Sequence, residues 1–175
     1  MAFSGVDFLG LDELLTEEER LVRDTFRRFV DDEILPVIGR HFRDGSFDPA
    51  WPKRLGALGA LGASLQGYGC AGLGPIAYGL IMQELERGDS GVRSFASVQG
   101  ALVMYPIHSY GSEAQKQRWL PAMSSGEAIG CFGLTEPDFG SNPGGTRSVA
   151  RRVGDSYVLS GEKRWITSGS LADVA

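Results

Sequence analysis

Apolar positions recur with helical spacing through the first two thirds of the chain. Thr16-Glu-Glu-Glu19 has the form of a capping box, in which the Thr16 hydroxyl accepts from the third helical amide and Glu19 reaches back. Leu21, Val22, Phe26, Phe29, Val30 and Ile34 follow on one face, which predicts an amphipathic helix ending at Pro36. Asp48-Pro49 predicts a second helix, where Leu55, Leu58 and Leu61 alternate with Gly56, Gly59 and Gly62 and admit a close neighbour. A third runs from Pro75 through Ile76, Leu80, Ile81 and Leu85. Asp89-Ser90 opens a fourth, carrying Val92, Phe95, Ala96, Gln99, Leu102 and Val103 and disturbed by Pro106. Ser112-Glu-Ala-Gln115 is another capping box, starting a helix that ends near Gly126.

The period then changes. Ala128 to Thr135 reads as a strand interrupted by Gly130 and Gly133, followed by a Pro- and Gly-rich loop over 136–145. Ser148 to Val153, a Gly154-Asp155 turn and Tyr157 to Leu159 predict a hairpin, and Arg164 to Thr167 a last strand. The expected fold class is therefore α+β. An all-α helical bundle over residues 1–127 precedes the first part of an antiparallel β domain over 128–175. Ala172 to Ala175 reads as the onset of a further apolar strand, so the expectation is that the β domain is incomplete at Ala175.

Composition excludes several classes. A chain of 175 residues that is 42% apolar can bury a core without staples, and Cys70 and Cys131 form no metal-ligand pattern. Both thiols are expected as small core residues in a reducing compartment. No apolar stretch approaches 18 residues, and Met1 to Glu19 holds no Lys or Arg. The expectation is a cytoplasmic protein without a leader peptide or membrane insertion. Residues 1–50 carry 12 acids against 6 bases, which argues against nucleic acid as partner. Arg147, Arg151, Arg152, Lys163 and Arg164 form a basic segment that is either a phosphate-binding face or a solvated surface. The 25 glycines are about twice the usual share of ~7%.

Most candidate chemistry has an ordinary reading. Gly67-Tyr-Gly69-Cys-Ala-Gly72 is formally GxGxxG, but helical spacing precedes it where a dinucleotide fold needs a strand, so a helix-to-helix loop is expected. His41 and His108 lie in no hydrolase or metal motif and are expected at the surface or as caps. Glu84, Glu86, Arg87, Asp89 and Arg93 have, on spacing alone, the look of paired charges at a helix end. The strongest signal is CFGLTEPDFGSNP at Cys131 to Pro143 together with Trp165-Ile-Thr-Ser168. A strand that ends in Thr135 and enters a Gly/Pro loop exposes amides and hydroxyls, suited to a pyrophosphate or a polarised ring edge. Trp165 and Thr167 on one strand face suit a flat heteroaromatic group, with a core tryptophan and an ordinary β-threonine as the alternative.

Taken together, these motifs resemble the acyl-CoA dehydrogenase family over nearly the whole chain. The run Glu84 to Ser94, ELERGDSGVRS, continuing through Ala96 to Gln99 and Tyr110 to Glu113, is most similar to the glutaryl-CoA dehydrogenases of that family. The resemblance implies FAD contacted by Phe132, Leu134, Thr135, Gly140, Ser141, Trp165, Ile166 and Thr167, with Thr167 near flavin N5 and Ser141 also near the acyl-CoA. It places Arg93 and Ser94 at the distal end of the acyl pocket, with Glu86 positioning the arginine. An unpaired guanidinium there would be costly beside a hydrocarbon tail but favourable beside a distal carboxylate. The implied reaction is α,β-dehydrogenation of glutaryl-CoA with decarboxylation to crotonyl-CoA, by a homotetramer that passes electrons to an electron-transfer flavoprotein. A short-chain acyl-CoA dehydrogenase, an oxidase or a non-catalytic flavin- or acyl-CoA-binding short form are the alternatives. The family's catalytic glutamate belongs to a C-terminal helical domain, so no catalytic residue and no metal ligand is assigned here. The resemblance also implies that these residues alone are inactive.

Overall fold

A computed structural model describes residues 8–175. The leader-peptide reading of Met1 to Glu19 therefore lies partly outside the described residues. In chain order the helices are α1 Leu11–Leu14, α2 Glu17–Phe29, α3 Leu35–Asp44, α4 Trp51–Ala57, α5 Pro75–Gly88, α6 Ser90–Ser97, α7 Tyr105–Tyr110 and α8 Glu113–Ser124. Two strands follow, β1 Val149–Val153 and β2 Ser156–Ser160. They form one antiparallel hairpin in which Val153 pairs with Ser156 across the two-residue turn. Gly154 holds φ +61° at that turn, where a side chain would be strained. Helices followed by an antiparallel β element are the architecture that the change of period predicts.

Both capping boxes form. Thr16 Oγ1 accepts from the Glu19 amide while Glu19 accepts from the Thr16 N–H, and Ser112 and Gln115 do the same for α8. Behind the first box, Phe26 and Phe29 of α2 are buried in one core with Ile81 and Leu85 of α5 and Val92 and Phe95 of α6, α2 packing on α5 and α5 on α6. Leu55, Leu61, Met104, Leu120 and Met123 complete this core, each at most 1% exposed.

The first helix does not stop at Pro36. It continues to Asp44 through a π-helical turn, Val30–Ile34, in which the Leu35 amide donates five residues back to Val30 O. The same device precedes Pro106, where Val98–Met104 is π-helical and the Tyr105 amide reaches Gly100 O. A proline lacks the N–H and crowds the carbonyl four residues back, and a wider turn relieves both without ending the helix.

The expected helix through Leu55, Leu58 and Leu61 is also shorter than its spacing implied. It closes at Ala57, and Gly59 and Gly62 adopt φ +77° and +66° in turns. The glycines still serve close approach, since a Cβ on Gly56 would strike the Ser125 backbone and one on Gly62 would lie 2.5 Å from Met104 Cε. Gly67 to Gly72 is a loop of left-handed residues between helices, not the turn of a nucleotide fold. His41 departs from its surface expectation: it is buried, with its ring 5.0 Å from that of Trp51 and Nδ1 2.9 Å from Ser46 Oγ.

Two predicted strands are not ladders. Within 128–135 only Gly130 bridges Val174. Residues 164–167 turn instead, because Trp165 and Ser168 hold φ +58° and +63°, off the pleat, and Gly169 N donates back to Ile166 O.

Gln99 joins the two parts of the chain. Its side chain, 1% exposed, donates Nε2 to Ala128 O at 2.8 Å and Met123 O at 3.3 Å, and its Oε1 accepts the Gly130 amide at 2.9 Å. Gln99→Leu keeps the volume but leaves the Ala128 carbonyl and the Gly130 amide buried without partners. The expected loss is about 3 kcal/mol of stability, measured as a shift of the urea midpoint. A loss under about 0.5 kcal/mol would show that water replaces the amide.

Candidate functional site

The Phe132–Thr135 segment leaves the Gln99 tie and turns locally, with the Leu134 amide donating to Phe132 O at 3.2 Å. Cys131 N donates to Val174 O at 2.9 Å, and Thr135 O accepts the Arg164 amide at 2.8 Å. Lys163 Nζ adds a bond to Leu134 O at 3.1 Å. These contacts set the two motif segments side by side, although Trp165 and Thr167 do not share a strand face. Phe132 and Leu134 are about two fifths exposed and Trp165 is 78% exposed, with the Arg164 guanidinium 4.5 Å from its ring centroid. Thr167 is exposed, and Thr135 and Ile166 are half-buried. The two segments thus offer exposed aromatic and aliphatic surface and two threonine residues.

The loop beyond Thr135 is held from inside by Glu136. Its carboxylate, 5% exposed, accepts from the Arg147 amide at 2.7 Å, the Ser148 amide at 2.9 Å and Lys163 Nζ at 2.9 Å. The Arg147 N–H first, then the Ser148 side chain and the Lys163 ammonium, hold its carboxyl down to about 2. Glu136 and Phe139 also close a tight turn through reciprocal backbone bonds of 3.0 and 3.1 Å. The Phe139 ring fills the space above Gly145 and lies 5.2 Å from the Arg147 guanidinium. Gly140 and Ser141 stand at the exposed tip, with nothing within 4 Å of where a Gly140 Cβ would be. Sequence reading passed over Glu136 as an organiser, and its flanking prolines and glycines were the available signal.

The basic segment is divided by these contacts. Lys163 is spent on Glu136, Arg152 on Gly154 O at 3.0 Å and Arg164 on Trp165. That favours the solvated-surface reading over a phosphate face.

The acidic cluster also divides. Glu84 is 1% exposed and receives Arg27 Nη2 at 2.7 Å and Arg87 Nε at 2.8 Å, while Arg87 Nη1 reaches Asp31 at 2.8 Å. This is a structural knot between α2 and α5, and Asp89 caps α6 through the Val92 amide at 3.0 Å. Arg93 stands apart from it. Its Nε donates to Glu86 Oε2 at 2.7 Å and its Nη1 lies 3.5 Å from Ser97 Oγ, with the side chain 36% exposed. Ser94 is half-buried beside it, its carbonyl accepting Ser97 Oγ at 3.2 Å. An apolar groove of about 390 Å³, lined by Leu102, Ile107, Tyr110, Trp119, Phe132 and Val174, opens between the continuation of this helix and the first motif residue.

This arrangement matches known proteins. The model of the acyl-CoA dehydrogenase N-terminal domain covers residues 16–127 and that of the middle domain residues 131–175. The chain belongs to the acyl-CoA dehydrogenase family. A crystal structure of a glutaryl-CoA dehydrogenase from Mycobacterium smegmatis in complex with FADH2 superposes with a TM-score of 0.93 at 53% identity, covering 95% of this chain and 43% of that one. Butyryl-CoA dehydrogenase from Megasphaera elsdenii superposes at 0.84 and 30% identity, covering 99% and 45%. The human mitochondrial short-chain specific acyl-CoA dehydrogenase is 38% identical over 162 residues, 92% of this chain and 39% of that protein. The chain thus spans about two fifths of the length of these relatives.

Glu136 gives a pH signature. Its folded carboxyl titrates at about 2 against an ordinary 4.5, so its contribution is full above pH 4.5 and is lost as pH falls toward 2. Glu136→Gln is expected to speed hydrogen exchange at the Arg147 and Ser148 amides at neutral pH. The gap from the wild type should close between pH 4.5 and 2. A gap constant across that window would contradict the assignment.

Proposed function

We propose that these residues form the helical domain, 1–127, and the first part of the flavin-binding β domain, 128–175, of an FAD-dependent acyl-CoA dehydrogenase that acts on glutaryl-CoA. The observation that carries the substrate class is the Arg93–Glu86 pair, in a chain 53% identical to a glutaryl-CoA dehydrogenase.

The residues fit FAD. Phe132, Leu134 and Thr135 are tied to Lys163 and Arg164, the residues just ahead of Trp165, Ile166 and Thr167, and the exposed apolar and hydroxyl surface of the two segments suits a flat heteroaromatic ring. Gly140 and Ser141, open at the loop tip, would meet the phosphates or the pantetheine, with Glu136 holding the loop that presents them. When bound, FAD supplies the hydride acceptor for α,β-dehydrogenation. The apolar groove beside Phe132 offers the acyl-CoA a dry wall.

At the far end of the acyl group, Arg93 meets the distal carboxylate through its Nη edge, assisted by Ser94, while Glu86 holds Nε. The motif carboxylates Glu84, Glu86 and Glu136 do not serve as the α-proton base. Glu84 is sealed by two arginines, Glu136 is held near 2, and Glu86 is engaged by Arg93 and Ser90. In this reading the base comes from a C-terminal helical domain, as the family resemblance implies, and the 175 residues alone are inactive. Release of the distal carboxylate as CO2, transfer of electrons to an electron-transfer flavoprotein, a homotetrameric assembly and a cytoplasmic location complete the reading. Among the described residues no helix is long and apolar enough to cross a membrane. A short-chain monocarboxylic substrate is the second reading, favoured by the 38% identity to the human short-chain enzyme.

Steady-state kinetics of the full-length protein separate the two. Wild type should prefer glutaryl-CoA over butyryl-CoA, and Arg93→Ala should lower kcat/KM for glutaryl-CoA about 100-fold, or ~3 kcal/mol, with a far smaller change for butyryl-CoA. Equal turnover of both substrates, equally affected by the substitution, would overturn the dicarboxylic assignment.

A further inference from the structure

The guanidinium of Arg93 is useful to a substrate carboxylate only if Glu86 occupies one edge of it and leaves the other. Glu86 lies in the last turn of α5 and Ser90 in the first turn of α6, on either side of the extended corner at Asp89. Ser90 Oγ donates to Glu86 Oε1 at 2.5 Å, across that corner, while Glu86 Oε2 accepts Arg93 Nε at 2.7 Å. Both carboxylate oxygens are thus committed, one to each neighbour, and the plane of the group is set by the pair. On the arginine, Nη1 has the Ser97 hydroxyl at 3.5 Å, and Nη2 has no protein acceptor among the described residues. The side that remains is the two-nitrogen edge that a carboxylate can grip bidentately.

Without the serine, Glu86 Oε1 is released and the carboxylate is free to rotate onto the Nη edge, where it competes directly with an incoming carboxylate. It also keeps its full negative charge close to that anion, and like charges a few ångströms apart repel. Hydrogen bonds from Arg93 and then Ser90 hold the Glu86 carboxyl below its ordinary range, so it stays ionised at neutral pH and must be held back by geometry. Ser90 is not the cap of α6, a role filled by Asp89 through the Val92 amide, and Ser90 is exposed. Its hydroxyl therefore has no structural duty that the fold depends on.

We propose that Ser90 is a positioning residue for acyl specificity, holding Glu86 on the Nε side of Arg93 so that the Nη edge is open to the terminal carboxylate of a dicarboxylyl-CoA. This rests on the dicarboxylic reading above. The test is steady-state kinetics with glutaryl-CoA and butyryl-CoA on the FAD-loaded full-length wild type, Ser90→Ala and Ser90→Thr, with thermal melts of each. Ser90→Ala should lower the ratio of kcat/KM for glutaryl-CoA over butyryl-CoA about 5–10-fold, chiefly through a raised KM for glutaryl-CoA, as expected for loss of a hydrogen bond of ordinary net strength. Ser90→Thr, which keeps the hydroxyl, should restore most of the ratio. An unchanged ratio in Ser90→Ala, a parallel loss for both substrates with a lowered melting temperature, or no rescue by threonine would overturn the positioning role. If the wild type itself shows no preference for glutaryl-CoA, the dicarboxylic reading falls, and this inference falls with it. A wild-type preference that Ser90→Ala leaves intact removes only the serine.

Discussion

The Gln99 side-chain amide is the interaction on which the arrangement of the two parts depends. The bundle can bury its own apolar core, but the segment that leaves it at Ala128 must pass through the interior with its backbone polar groups satisfied. One amide group does this at three points, presenting donors to the Met123 and Ala128 carbonyls and an acceptor to the Gly130 amide, while Ala122 O takes the Ala128 amide and Asp173 pairs with Ile129. A glutamine suits this position because it carries both functions on one rigid plane. Its placement in the π-helical stretch ahead of Pro106 ties the accommodation of that proline to the exit of the β segment.

From this anchor the chain builds outward with local ties. Val174 pairs with Gly130 and Cys131, the Arg164 amide with Thr135, and Glu136 gathers the amides of Arg147 and Ser148 with the ammonium of Lys163. The buried carboxylate of Glu136 and the buried carboxylate of Glu84 are treated in the same way, each surrounded by several donors, because a charge withdrawn from water survives only with such partners. Glu86, by contrast, is left partly in solvent, and it is engaged with Arg93.

Much of this was legible in the residues themselves. The two capping boxes, the helical spacing behind them, the Gly-Asp hairpin turn and the change of period near residue 128 all rest on local rules, and local rules survive folding. The features that escaped are those set by tertiary packing. Pro36 reads as a stop and Pro106 as a disturbance, and only the packed helices show that a π turn carries the chain past each. Leu55, Leu58 and Leu61 have helical spacing, yet Gly59 and Gly62 turn the chain because Ala71, Cys70 and Met104 crowd it. Trp165-Ile-Thr reads as a strand, but positive φ at Trp165 and a turn at Ile166 override β-propensity. Gln99 was visible only as a polar residue on an apolar face, and the bond from Ser90 to Glu86 only as spacing of four.

The central claim is that one chain places a flavin edge at Phe132–Thr135 and Trp165–Thr167 and a carboxylate grip at Arg93. The most direct test is a crystal structure of the full-length protein with FAD and a non-reactive glutaryl-CoA analogue. The account predicts the flavin ring against both motif segments, and the distal carboxylate within about 3.2 Å of the Arg93 Nη atoms while Glu86 remains on Nε. A distal carboxylate held elsewhere, or a flavin that touches neither segment, would contradict it.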